Sequence, residues 1–139
     1  MNYFTTKELS YSYIAVQRGI DNNPPEDIKH HLEDLIDKLL NPLREAWGSP
    51  ILITSGYRCP ELNKMVGGSE SSAHLTGFAA DIVPQNGDYE GFEQFLRETL
   101  CNLPFDQCIF ENTRDIKWVH LSLYGLKMKQ RRQIIYITK

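Results

Sequence analysis

The chain has 139 residues, 41% apolar and 24% charged, which suits one globular domain with enough length to bury a core and is the wrong balance for disorder. Its 15 Lys plus Arg and 18 Asp plus Glu give a net charge of -3, so no general attraction to nucleic acid or to an anionic membrane is expected. Cys59, Cys101 and Cys108 are an odd number without CxxC spacing, which argues against a disulfide framework or a cysteine zinc site and for free thiols in a reducing compartment.

Met1 to Leu9 contain no apolar run, so no signal peptide is expected. No stretch reaches the ~18 apolar residues of a membrane span. The product is therefore expected to be synthesised in the cytoplasm, without membrane insertion. Thr5 and Thr6 before Lys7, Glu8 and Leu9 read as a helix cap with acidic support, and a short helix is expected to follow through Tyr13 to Arg18. Asp21 to Pro25 is a turn cluster, with Pro25 suited to the first position of a helix. From Ile28, the apolar residues Leu32, Leu35, Ile36, Leu39, Leu40, Leu43 and Trp47 keep helical spacing. Gly48 and Pro50 end that helix, and Pro42 is expected to kink or break it.

Ile51 to Thr54 is a β-rich run, and Ser55 to Gly56 turn it. Pro60 to Val66 suit a turn or two of helix, and Gly67 to Ser72 a loop of small residues. Phe78 to Val83 read as a strand, Tyr89 to Leu100 as an amphipathic helix, and Asp106 to Glu111, Trp118 to Leu123 and Arg131 to Ile137 as strands, with a hairpin loop over Asn112 to Lys117. Helices first and strands later predict an α+β domain over residues 1–139, its N-terminal helices packed on a small, mainly antiparallel sheet.

Of the four histidines, His30 and His31 sit beside Lys29 and Glu33 on the long helix and read as solvated surface residues. His74 follows a loop of small polar residues, where exposure is expected. Asp81 lies seven residues on, among Ala79, Ala80, Ile82 and Val83, where a carboxylate is costly unless paired or on a metal. In Trp118-Val119-His120-Leu121-Ser122 the period of two puts Val119 and Leu121 on one face and Trp118, His120 and Ser122 on the other, like the floor of a cleft. Two histidines and a carboxylate suit zinc and leave a fourth tetrahedral position for water, which zinc acidifies to a pKa of about 7. On spacing alone, separate hydrogen-bonded core residues remain the alternative.

Ser55-Gly56-Tyr57-Arg58-Cys59-Pro60-Glu61-Leu62-Asn63, Val66-Gly67-Gly68-Ser69 and the SxHxxGxAxD stretch from Ser72 to Asp81 resemble the zinc D-Ala-D-Ala carboxypeptidase family. The nearer likeness is to its small phage and bacterial branch of cell-wall peptidases, including L-alanyl-D-glutamate endopeptidases. Phe105-Asp106-Gln107, Trp118-Val119-His120-Leu121-Ser122 and, more weakly, Gln130-Arg131-Arg132-Gln133 match that branch too. The resemblance implies the α+β fold shared with the Hedgehog signalling domain. It implies Zn2+ on His74, Asp81 and His120, with Arg58 steadying the scissile carbonyl. It also places Ser72 and Gln107 near substrate.

The dipeptidase members carry a glutamate general base three residues before the last histidine, where this chain has Lys117. Glu111, across the hairpin, matches an acidic residue of the nearer branch and is the preferred base, with Asp115 and Asp106 behind it. A one-residue slip in register would turn Glu111 away. The expected activity is zinc-dependent hydrolysis of an amide bond in peptidoglycan stem peptides by a monomer that acts on the wall when released. The other reading is a zinc-stabilised binding or structural module of phage origin that has lost catalysis.

Overall fold

The computed structural model describes residues 2–125 and 129–138. Thr5 caps α1 (Thr6–Ser10) by accepting from Glu8 N, and Ser12 caps α2 (Tyr13–Arg18) by accepting from Ala15 N. Gly19 closes α2 in the left-handed region, at φ 67°, where a side chain would be strained. Pro25 stands one residue before α3 (Glu26–Leu35), which starts with Glu26 and Asp27 at its positive end.

The long helix does not break at Pro42. It widens into a π turn (Ile36–Leu40), in which Asn41 N donates to Ile36 O, and continues as α4 (Asn41–Trp47). Proline offers no N–H to the carbonyl of Lys38, and its ring crowds that carbonyl. The wider turn gives the ring room while keeping Leu39, Leu40 and Leu43 buried.

The described strands form one five-stranded sheet in the order β1-β2-β4-β3-β5. They are β1 (Ile51–Ser55), β2 (Ala79–Pro84), β3 (Gln107–Asn112), β4 (Lys117–Ser122) and β5 (Gln133–Thr138). All pairings are antiparallel except β3 with β5. The expected α+β architecture is therefore present, with strand limits shifted by a residue or two. Two helices complete it: α5 (Pro60–Met65), capped by Cys59, and α6 (Tyr89–Thr99), capped by Asp88.

Strand alternation splits the sheet into two chemical faces. Ala80, Ile82, Cys108, Val119 and Leu121 are buried in one core with Leu32, Leu35, Leu39, Leu43, Phe92 and Leu96. Trp47 packs edge-on to Phe92 at 5.1 Å and so ties α4 to α6. Burying each large apolar side chain contributes roughly 1.5–3 kcal/mol, enough to fix which face of β2 and β4 looks inward. Asp81, Trp118 and His120 are thereby left on the other face.

β5 is anchored by a buried carboxylate. Asp106 Oδ2 accepts from Arg131 Nη2 at 2.6 Å and Oδ1 from Arg131 N at 2.8 Å, while Asp106 O accepts from Gln133 N at 2.9 Å. Arg132 adopts φ 57° and donates to the carbonyls of Leu100, Cys101 and Leu103 at the end of α6. The Gln130 to Gln133 motif thus carries architecture. Burial would raise the Asp106 carboxyl, but hydrogen bonds from Arg131 and its charge hold it below the usual range. The stabilisation is complete above the unfolded carboxylate pKa of about 3.9 and is lost as pH falls through the lower native value. Asp106→Asn should cost about 2 kcal/mol near neutrality, read as a lower urea midpoint at unchanged slope, and the gap from wild type should close in acid.

Candidate metal centre

Three elements bring the ligand-type side chains together. His74 sits in a 3-10 turn (Ala73–Thr76) capped by Ser72, whose Oγ accepts from His74 N at 3.2 Å. Asp81 and His120 are direct partners across β2 and β4. His74 Nε2 lies 3.2 Å and His120 Nδ1 3.1 Å from the same oxygen, Asp81 Oδ1. The two rings stand edge to face, 5.0 Å apart. One donor atom from each residue lies within 4.8 Å of the others. Tetrahedral ligands on bonds of 2.0–2.1 Å would sit roughly 3.3 Å apart, so only a small spread separates this cluster from a ligand shell.

His74 differs from its expectation in being buried, at 2% exposure. Its Nδ1 lies 2.7 Å from the Gly56 carbonyl, which can only accept, so Nδ1 carries the proton. In the neutral ring Nε2 then aims a lone pair at Asp81 Oδ1, acceptor against acceptor. Only a second proton or a cation between the two resolves that contact. A histidine whose far nitrogen is fixed by a carbonyl is the usual arrangement of a metal-ligating imidazole, and the donor set fits a divalent ion. Burial would raise the Asp81 carboxyl, but the hydrogen bonds and charge of His120 and His74 outweigh it and lower its pKa to about 2. At neutral pH the carboxylate is therefore ionised.

Gly56 is indispensable to this contact. A Cβ there would meet Leu9 O at 2.0 Å, and the next amide, Tyr57 N, donates to that oxygen at 2.7 Å. The chain turns under α1 with no space for a side chain, and the Gly56 carbonyl is thereby presented to His74. His31 also departs from the solvated reading. Its Nδ1 contacts Thr76 O at 2.7 Å, its ring stacks on Phe78 at 4.2 Å, and α3 so holds the far end of the histidine-bearing turn.

Arg58 follows on the same segment, and its backbone N–H donates to His74 O at 3.1 Å. Burial draws the guanidinium pKa down, while the negative charges of Asp81 and Glu111 oppose the shift. Glu111 pairs directly with Trp118, and Ile109 with His120, so Glu111 stands on the site face one diagonal step from His120, about 7–8 Å between α-carbons. Lys117, by alternation, points to the opposite face. Asp106 is committed to Arg131, and Asp115 is exposed at the hairpin tip, away from the paired strands. Of the three candidate bases, Glu111 shares the face with the triad. Gln107 also lies on that face, opposite Ser122, with its side-chain amide donating to Gln133 Oε1 at 2.9 Å.

A cleft of about 590 Å³ opens beside the triad, with Asp81, Arg58 and Trp118 in its lining. Its far wall is Tyr11, Tyr13 and Ile14, all well exposed. A family model described as Peptidase M15 matches residues 2–122. The chain belongs to the peptidase M15 family. Members of this family are zinc-dependent metallopeptidases, and the match spans the turn of His74, the strands of Asp81 and His120, and the Arg58 segment. It stops before β5, where the Gln130 to Gln133 motif was found to be architectural. No curated protein matches the chain. Among the described residues no helix is long and apolar enough to cross a membrane.

Purified protein supplied with zinc should retain a single divalent ion per chain by elemental mass spectrometry, and Asp81→Ala should lose it. Binding should weaken as pH falls, because protons compete for the same lone pairs. Equal metal content in wild type and Asp81→Ala would remove Asp81 from the site.

Proposed function

We propose that this M15 peptidase hydrolyses an amide bond in peptidoglycan stem peptides, with Zn2+ held by His74, Asp81 and His120. The observation that carries the reading is the convergence of two imidazoles on one ionised carboxylate beside an open cleft. When bound there, zinc supplies Lewis-acid polarisation of a carbonyl and acidification of a water.

The remaining work falls to the chain's own groups. Arg58 provides a fixed cation for the negative charge that develops on the carbonyl oxygen, in a half-buried position where that charge is weakly screened. A carboxylate oxygen of Glu111 takes the proton of the attacking water and passes it to the leaving nitrogen. Ser72 and Gln107 are assigned to the substrate peptide at the margins of the site. The reading takes residues 1–139 as one domain, working as a monomer on the wall when released. It involves no nucleic acid and no membrane insertion.

Digestion of purified wall peptides tests it. His120→Ala should abolish cleavage. Glu111→Gln should keep the metal and lose about 10²–10⁴ in kcat, and Arg58→Ala about 10²–10³. Undiminished cleavage by His120→Ala would refute the assignment. Wild-type protein that holds zinc but cuts no wall peptide would instead favour the second reading, a zinc-stabilised module without hydrolysis, whose motive is the lysine at position 117.

A further inference from the structure

Asn22 is buried where the N-terminal helices meet the segment carrying Arg58, and it uses both faces of its amide. Its Nδ2 donates to Ser10 O at 2.9 Å and to Tyr57 O at 3.0 Å, while its Oδ1 accepts from Cys59 N at 2.8 Å. The two contacts to the segment fall on either side of Arg58. Arg58 itself donates from its backbone to His74 O. Three consecutive residues are therefore pinned, two of them by one side chain.

The guanidinium has weaker local support. Its Nε is buried without a hydrogen-bond partner among the described residues. Nη1 lies against Gly68, where a Cβ would stand only 2.8 Å away. The direction of the side chain is thus set by the backbone from which it leaves and by the wall it lies along. A rotation of the Tyr57–Cys59 backbone would swing the charge away from the carboxylates of Asp81 and Glu111, which it feels.

We propose that Asn22 is a positioning residue for Arg58: by bracketing the backbone at Tyr57 and Cys59 it aims the guanidinium at the reacting carbonyl. This rests on the reading of Arg58 given above. Asn22 hydrogen-bonds to Ser10, Tyr57 and Cys59, none of them in the His74, Asp81 and His120 cluster. Its third contact, Ser10 O, precedes the Tyr11 and Tyr13 wall of the cleft, so the same amide sets the wall and the cation relative to each other.

A double-mutant cycle on wall-peptide hydrolysis reads the coupling. Asn22→Ala should keep its zinc and lower kcat by about 10²-fold, the effect of a displacement near 1 Å, with KM little changed. In an Arg58→Ala background the same substitution should cost nothing further. An equal loss in both backgrounds would mean that Asn22 acts on the fold as a whole and would overturn the proposal. Asn22→Asp keeps the shape and the acceptor for Cys59 N, but its carboxylate cannot donate to Ser10 or Tyr57 and faces their carbonyls, so it should reproduce the defect. Unchanged exchange of the core amides shows that each variant folds. Amide hydrogen exchange gives a readout free of activity. The amides of Arg58 and Cys59 should exchange faster in both variants, with those of Val119 and Leu121 unchanged, and unaltered exchange at Arg58 would overturn the proposal. If the wild type cleaves no wall peptide, the hydrolytic reading falls by itself, and the exchange measurement still decides whether Asn22 holds Arg58.

Discussion

One carboxylate oxygen facing two imidazoles is the constraint around which the rest is arranged. Asp81 is largely buried, yet it stays ionised. That is tolerable only because His74 and His120 meet it from two directions. Each partner comes from a different kind of structure. His120 arrives by strand register, fixed by the apolar face beneath it. His74 arrives on a short turn clamped at its start by the Ser72 cap, at its ring by Gly56, and at its far end by His31. The strands set distance, and the clamps set ring orientation, which a metal ligand needs as much as distance.

Much of this was legible in the sequence, for identifiable reasons. A carboxylate within Ala79-Ala80-Asp81-Ile82-Val83 is an anomaly that hydrophobic patterning exposes at once. The alternation in Trp118 to Ser122 gave the correct faces of β4, because a period of two follows from strand geometry alone. The spaced motifs from Ser55 to His120 pointed to the M15 family. What could not be read depends on contacts between distant segments. The hairpin register that turns Glu111 toward the site and Lys117 away is a relation between two strands. His74 looked exposed because its neighbours are small and polar, but its ring is enclosed between the Gly56 carbonyl, Asp81 and His120. His31 looked solvated because Lys29 and Glu33 flank it, yet the helix rotates it onto Phe78. Pro42 suggested a break, since local rules know nothing of the core that makes a widened turn preferable to losing Leu39, Leu40 and Leu43 from it.

The N-terminal third serves the site in ways composition does not announce. Leu9 receives the Tyr57 amide, Asn22 brackets Arg58, and α3 backs the histidine turn through His31 and through Ile28, which packs under Gly77. The helices therefore act as the frame on which the two loops beside the His74, Asp81 and His120 cluster are stretched. In a sheet enzyme with ligands on separate elements, such a frame supplies the preorganisation that electrostatic catalysis requires.

The parallel pairing of β5 has a consequence for how the molecule behaves in concentrated solution. Residues 133–138 carry no charge and are rich in β-branched side chains, with Ile134 and Tyr136 exposed. They form an outermost strand of the sheet as described. Such an edge is a template for another chain's strand. The strand must also wait, during folding, for a partner 26 residues away in sequence, Gln107 facing Gln133, and late-forming pairings leave sticky segments open longest. Arg131 is neutralised by Asp106, but Arg132, besides latching β5 in place on the carbonyls of Leu100, Cys101 and Leu103, puts a positive charge immediately before that uncharged run. It acts as a gatekeeper, repelling a second copy that approaches in register. The latch that completes the sheet is thus also its guard against polymerising.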